Sequence, residues 1–198
     1  QLHAHDYYTD HLGRNGGEKV PLEQGTYSHI PIFDAALQFI RDNTDKPFFC
    51  YLPVCLPHGK YVTPSDKVYA DKPWPQMVKN YAAMITHLDS DVGRLMELLN
   101  ELDIDEQTIV FYTSDNGPNL PFVKPLDSAG PFRGTKRKLT EGGLRVPMFA
   151  RWPGKFHPGS QSDFAWGHVD FFATACELAG LGHEKKDSIS IVPTLLGK

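Results

Sequence analysis

The sequence predicts an α/β fold, and three observations carry the prediction. Pro47 to Val54 and Thr108 to Thr113 are short runs that are apolar on both faces, like strands of a parallel sheet covered by helices. Between them, Gln76 to Leu102 places Tyr81, Ile85, Leu88, Val92, Leu95 and Leu99 on one helical stripe. Strand, long helix and strand in that order indicate a parallel crossover. The second run stops at Ser114-Asp115-Asn116-Gly117-Pro118. A carboxylate and an amide just past a strand's C-terminal end sit where open α/β sheets place their ligand crevices.

The remaining elements follow in order. Gln1 to Ile30 is polar and turn-rich, with Asn15-Gly16 as a hairpin signal. Its His3, His5 and His11 are a conceivable metal group, although a loop or short hairpin is the plainer reading. Ile32, Phe33, Ala36, Leu37 and Ile40 have helical spacing, closed by Asn43-Thr44-Asp45. Beside the stripe of the long helix stand Asp89, Asp91, Arg94 and Glu97, read as a solvated face in preference to a metal site. Val146 to Trp152 predicts another strand, closed by Pro153-Gly154, and Asp163 to Trp166 a short one. His168 to Leu181 predicts a helix with Gly180 as its stop, and His168 as a cap or packing residue. The apolar tail from Ser188 to Lys198 is expected to dock on the core.

Bulk properties exclude several functions. The net charge is 20 − 24 = −4, which leaves no nucleic-acid footprint. No apolar run approaches the roughly 20 residues of a membrane span. Cys50, Cys55 and Cys176 lack metal-ligand spacing, and their odd number argues against a disulfide framework. A chain of 198 residues accommodates one domain with a real core, or part of a larger one, and no linker divides it.

Four features point to one crevice. Asp115 and Asn116 offer hard oxygen ligands suited to Ca²⁺ or Mg²⁺. His58, just beyond the Pro47 to Val54 run, offers a titratable donor. Lys136, with Arg133 nearby, offers positive charge to an anion. The glycines of Gly130-Pro131-Phe132-Arg133-Gly134-Thr135-Lys136 and Glu141-Gly142-Gly143-Leu144-Arg145-Val146-Pro147 permit close backbone approach. Taken singly, Asp115-Asn116-Gly117 reads as a turn and Lys136 to Lys138 as a solvated loop.

Together these stretches closely resemble the sulfatase family. So do Pro57-His58 after the Pro47-Phe48-Phe49 strand, Tyr81-Ala82-Ala83-Met84, Arg151-Trp152-Pro153-Gly154, His168-Val169-Asp170 and Pro193-Thr194-Leu195-Leu196. The resemblance runs in order through nearly the whole chain. It implies the alkaline-phosphatase-like superfamily: a mixed, mostly parallel sheet with helices on both faces, here truncated at the N-terminal side. It also implies that Asp115 and Asn116 are ligands of a divalent cation, usually calcium. His58 then contacts sulfate and assists the leaving group, and Lys136 contacts the sulfate with Arg133 beside it.

The departures are equally definite. The family's nucleophile is a formylglycine made from the Cys of a Cys-x-Pro/Ala-x-Arg motif, and no such motif occurs here. Cys55-Leu56-Pro57-His58-Gly59 lacks the Arg and occupies the Pro-His position, so Cys55 is rejected as nucleophile. The family's early Asp-Asp metal pair is missing too. The expectation is therefore a single domain over 1–198, the C-terminal portion of a sulfatase catalytic domain, with the formylglycine in the missing N-terminal part. The parent is expected to cleave sulfate monoesters of a small molecule or a glycan, in a periplasmic, secreted or lysosomal setting. The chain alone is expected to bind Ca²⁺ weakly, to hydrolyse no sulfate ester, and to self-associate or be poorly stable because a sheet edge or apolar face is left uncovered. Two alternatives stand beside this reading: a phosphate or phosphonate ester hydrolase of the same superfamily, and a non-catalytic degenerate module. Gly59 to Pro75, with Tyr61, Tyr69 and Trp74, reads equally as an aromatic wall for a sugar ring or as ordinary loop packing.

Overall fold

A computed structural model describes residues 6–182 and 187–198. The described residues form two compact units: Gln1–Ile104 with Asn116–Arg145, and Asp105–Asp115 with Val146–Lys198.

The first unit opens with a hairpin of β1 (His11–Arg14) and β2 (Glu18–Pro21), antiparallel in the register Arg14↔Glu18. Asn15 and Gly16 both take positive φ, 46° and 81°, and the Gly17 N–H donates to the Arg14 carbonyl at 3.1 Å. That is a type I′ turn, and Asn-Gly adopts it at low steric cost. His11 lies on β1 with Nδ1 against Asp10 at 2.5 Å, while His3 and His5 lie outside the described residues.

Helix α1 (His29–Arg41) buries His29, Phe33 and Ile40. Helix α2 (Gln76–Glu101) has 26 residues, about 39 Å at the α-helical rise. Its buried face holds Val78, Ala82, Met84, Leu88, Asp91, Leu98 and Leu99, whereas Ile85 is 42% exposed. The expected stripe is thus rotated, and Asp91, expected in water, is in the core. Arg41 and Glu101 tie the C-terminal ends of the two helices together at 3.0 and 3.2 Å. Helix α3 (Leu120–Leu126) begins where the Asn119 side chain accepts the Leu120 N–H at 3.0 Å. Phe122 on α3 is fully buried, stacked on Tyr81 at 3.8 Å with Tyr61 edge-on at 4.8 Å. Burying a ring of that size contributes about 2–3 kcal/mol.

Pro47 to Val54 differs from expectation. Its side chains alternate as a strand's do, with Phe49 69% and Tyr51 77% exposed, but it joins no ladder among the described residues. Alternation fixes the pleat, and only a neighbouring backbone makes a strand of it.

In the second unit, β3 (Val110–Thr113) pairs antiparallel with β4 (Met148–Arg151), with Phe111 opposite Ala150. The crossover expected between Pro47–Val54 and β3 is therefore not a ladder among the described residues. Helix α5 (Asp170–Leu178) packs Phe171 edge-on against Phe111 at 5.5 Å. The tail docks as expected. Asp170 accepts the Gly167 N–H at 2.8 Å and the Ile189 N–H at 2.9 Å. Thr174, with no exposed surface, donates to the Asp170 carbonyl at 2.7 Å and accepts from Ile191 N–H at 3.1 Å. Helix α6 (Val192–Leu195) ends the unit. Asp163 to Trp166, expected as a short strand, joins no ladder among the described residues and is mostly exposed.

Candidate functional site

The glycine-bearing segments of the first unit are sewn together by their backbones. The Gly117 N–H donates to the Gly143 carbonyl at 3.2 Å. The Lys136 N–H donates to the Pro118 carbonyl at 2.9 Å, and the Gly142 N–H to the Arg133 carbonyl at 2.9 Å. A short helix, α4 (Glu141–Leu144), carries Gly142 and Gly143, both buried. A Cβ on Gly117 or Gly142 would come within 3.0 Å of backbone atoms of Gly142 or Gly134, and one on Gly143 within 3.0 Å of Lys138 and Thr135. Glycine is required here because three loops approach one another at backbone distance. The result places the loops of Asn116, Arg133 and Lys136 side by side.

Within that assembly, the Asn116 amide donates to the Gly117 carbonyl at 3.0 Å, and Lys136 is half-buried while Arg133 is exposed. Arg137, next to Lys136, takes a left-handed φ of 73°, a strained conformation for a side chain of its kind. The Arg145 guanidinium lies 5.1 Å from the Phe132 ring centre and pairs with Glu141.

His58 sits on a separate loop after the cis Leu56-Pro57 bond, exposed, with its N–H donating to the Cys55 carbonyl at 2.8 Å. The Tyr7 hydroxyl donates toward the carbonyls of His58 (2.7 Å) and Cys55 (3.1 Å). Burial, then the Cys55 thiol, push the Tyr7 phenol well above its ordinary value, so it remains a donor. Three residues on, the Tyr61 hydroxyl accepts from the Asn119 amide at 2.9 Å, which ties the His58 loop to the segment following Asn116. Tyr69 and Trp74 pack on each other at 5.7 Å, and the Tyr69 hydroxyl meets Thr86 at 2.8 Å. Tyr61, Tyr69 and Trp74 are thus engaged in loop packing.

Asp115 belongs to the second unit, exposed and two residues beyond the end of β3. There the Thr113 hydroxyl donates to the Pro147 carbonyl at 3.0 Å and lies 3.3 Å from His168 Nε2. In donor chemistry Asp115 and Asn116 fit a hard cation: a carboxylate and an amide oxygen on adjacent residues. Such an ion takes six to eight oxygens, so they would fill only part of its shell. The three cysteines are free thiols, and burial raises the pKa of Cys50.

Residues 2–181 match the Sulfatase family model. The chain belongs to the sulfatase family. The human N-acetylgalactosamine-6-sulfatase is 36% identical over 168 residues, 81% of this chain and 31% of that protein. The arylsulfatase of Hemicentrotus pulcherrimus is 32% identical, over 74% of this chain and 26% of its own length. Among solved structures, Ps i-CgsB bound to k-i-k-neocarrahexaose superposes with a TM-score of 0.80 at 27% identity, covering 91% of this chain and 40% of that one. The PsFucS1 sulfatase from Pseudoalteromonas sp. gives 0.74 at 29%, over 93% and 38%. The sulfatase chain therefore spans about a third of the length of the curated relatives it matches. Its fold is the α/β fold of the alkaline-phosphatase-like superfamily. Sulfatases are sulfuric ester hydrolases, and membership implies a metal ion and a formylglycine. No helix of the described residues is long and apolar enough to cross a membrane.

Spacing alone missed a second polar centre in this unit. His29 and Asp91 are both buried, with Nε2 2.8 Å from Oδ2. Burial, the largest influence, lowers the His29 pKa despite the opposing Asp91 bond. The short signal available was His29 opening a helix beside Tyr27; nothing near it names a partner 62 residues away.

Proposed function

We propose that this chain carries part of the ester-cleaving centre of a sulfatase, as the C-terminal portion of its catalytic domain. The observation that supports the reading is the backbone stitching of Asn116–Pro118 to Arg133–Lys136 and Gly142–Gly143, which joins the segments that carry Asn116, Arg133 and Lys136. The Lys136 ammonium and Arg133 guanidinium bind the anionic ester and oppose the charge that grows on the sulfuryl oxygens. His58 serves as general acid for the ester oxygen, so the alcohol leaves neutral. Asp115 and Asn116 would hold the divalent cation, with calcium the choice and Mg²⁺ the alternative; when bound it supplies Lewis-acid stabilisation of sulfate charge. The formylglycine motif does not occur among the 198 residues.

The substrate proposed is a sulfate monoester of a small molecule or glycan, supported by relatives named for N-acetylgalactosamine-6-sulfate and steryl sulfate esters. The compartment proposed is periplasmic, secreted or lysosomal. For the isolated chain we propose weak Ca²⁺ binding, no turnover and self-association, supported by the partial donor set and by exposed Phe49 and Tyr51.

The test is the parent enzyme assayed on an aryl sulfate and the matching aryl phosphate. The expected result is preference for sulfate, with Lys136→Ala lowering kcat about 10²–10³-fold, the cost of losing one preorganised charge-stabilising group. Preference for phosphate would replace this reading with the phosphoesterase one. No turnover of either ester would favour the degenerate module.

A further inference from the structure

We propose that His29, His87 and Asp91 form a binding site for a divalent transition-metal ion of the zinc type, in the first unit between α1 and α2. One donor atom from each residue lies within 4.8 Å of the other two. Asp91 Oδ2 is 2.8 Å from His29 Nε2 and 3.3 Å from His87 Nε2. Tetrahedral coordination at zinc distances puts neighbouring ligand atoms about 3.3 Å apart, so modest side-chain shifts convert the cluster into three ligands of one ion.

The framework suits that role. His87 and Asp91 are one helical turn apart on α2, which points both side chains to the same side. Paired ligands at this i, i+4 spacing hold zinc on helices elsewhere. His29 reaches the same point from the first turn of α1. Arg94 holds the other Asp91 oxygen, Oδ1, at 2.8 Å and is itself fixed by Asp34 at 2.6 Å. That leaves Oδ2 as a single monodentate donor whose orientation is set from outside, as outer partners set ligating carboxylates in metal sites. Aromatic walls restrict the ligands: Phe33 lies 5.8 Å from the His29 ring and Tyr27 5.8 Å from the His87 ring. His29 and Asp91 are buried, whereas the His87 side chain is 27% exposed, giving an ion its entrance and a water the fourth position.

Two imidazoles and a single carboxylate select the ion class. Nitrogen donors suit zinc, copper and nickel, whereas calcium takes oxygen ligands alone. This set therefore differs in kind from the oxygen pair Asp115 and Asn116.

The experiment titrates the chelator-stripped full chain with Zn²⁺ by calorimetry in the presence of excess Ca²⁺, and with Co²⁺ by visible absorption. The expected result is one Zn²⁺ per chain and an intense four-coordinate Co²⁺ spectrum. His87→Ala, at the more accessible of the three positions, should weaken binding by more than roughly a hundredfold, beyond the cost of losing an outer partner. His157→Ala, an exposed histidine on the second unit, should leave binding unchanged. Absence of Zn²⁺ binding, or binding that His87→Ala leaves within a few-fold, would overturn the proposal and leave a hydrogen-bonded cluster. His29→Asn and Asp91→Asn provide the same test at the buried positions, with circular dichroism checking that each variant is folded.

Discussion

Two regions of the first unit concentrate polar groups, and they are built in opposite ways. Around Gly117, Gly142 and Gly143 the backbone does the packing: carbonyls and amides of three loops meet where no side chain fits. Around Asp91 the backbone is ordinary helix, and the side chains do the packing across 62 residues of sequence. The first arrangement fails when an atom is added. The second fails when one is removed.

Gly143→Ala should separate them most sharply. Its Cβ would meet the backbone carbonyls of Lys138 and Thr135 inside 3.0 Å, and backbone cannot swing aside as a side chain can. Overpacking of this kind costs about 3 kcal/mol. Urea unfolding of the full chain should show that loss, and an unchanged midpoint would mean the loops are not held as described.

Asp91→Ala, measured without added metal, should cost about 2 kcal/mol, because it leaves the buried His29 Nε2 without its partner. Asp91→Asn, which keeps the shape, should cost less. Equal losses for the two would indicate that charge, not hydrogen bonding, dominates this cluster.

Thr174→Val extends the comparison to the second unit. The hydroxyl accepts the Ile191 N–H in a site with no solvent exposure, so removing it strands that donor at about 1–2 kcal/mol. Hydrogen exchange at Ile191 should rise, and unchanged protection there would refute the role.

The smallest effect is expected at Asp105 and Arg151, which pair near the surface with Nη2 2.7 Å from Oδ2. The Arg151 bond lowers the Asp105 pKa. A carboxyl held below its unfolded value contributes fully above that value, near about 3.9, and loses its contribution as pH falls through the lower folded one. Asp105→Asn should therefore cost less than about 1 kcal/mol at neutral pH and reduce the acid-side slope of stability. A variant as acid-sensitive as the parent would remove Asp105 from that slope.

Much of this was legible in the sequence. Asn15-Gly16 specified its turn, because positive φ at two successive positions selects those residues. The stripes of α1 and α2 and the apolar runs at β3 and β4 marked those elements, since burial of one face requires a matching period. The ordered motifs from Pro57-His58 to Pro193-Thr194-Leu195-Leu196 marked the family. The stitched loops could be anticipated as glycine-dependent, though not what each glycine would meet.

What the sequence determined by itself is therefore local and serial: turns, helices, strand-like runs and the motifs that carry the family's chemistry. Tertiary structure alone decided which face of α2 is inside, so that Ile85 is exposed and Asp91 buried. It decided that β3 pairs antiparallel with β4 and that Pro47 to Val54 joins no strand ladder among the described residues. The physical reason is common to all three. A period shows that a segment has a face, but the neighbour that covers it, or the backbone that completes a ladder, comes from elsewhere in the chain. A buried carboxylate is stable only where His29 and Arg94 converge on it, and no spacing along α2 records that His29 will be there.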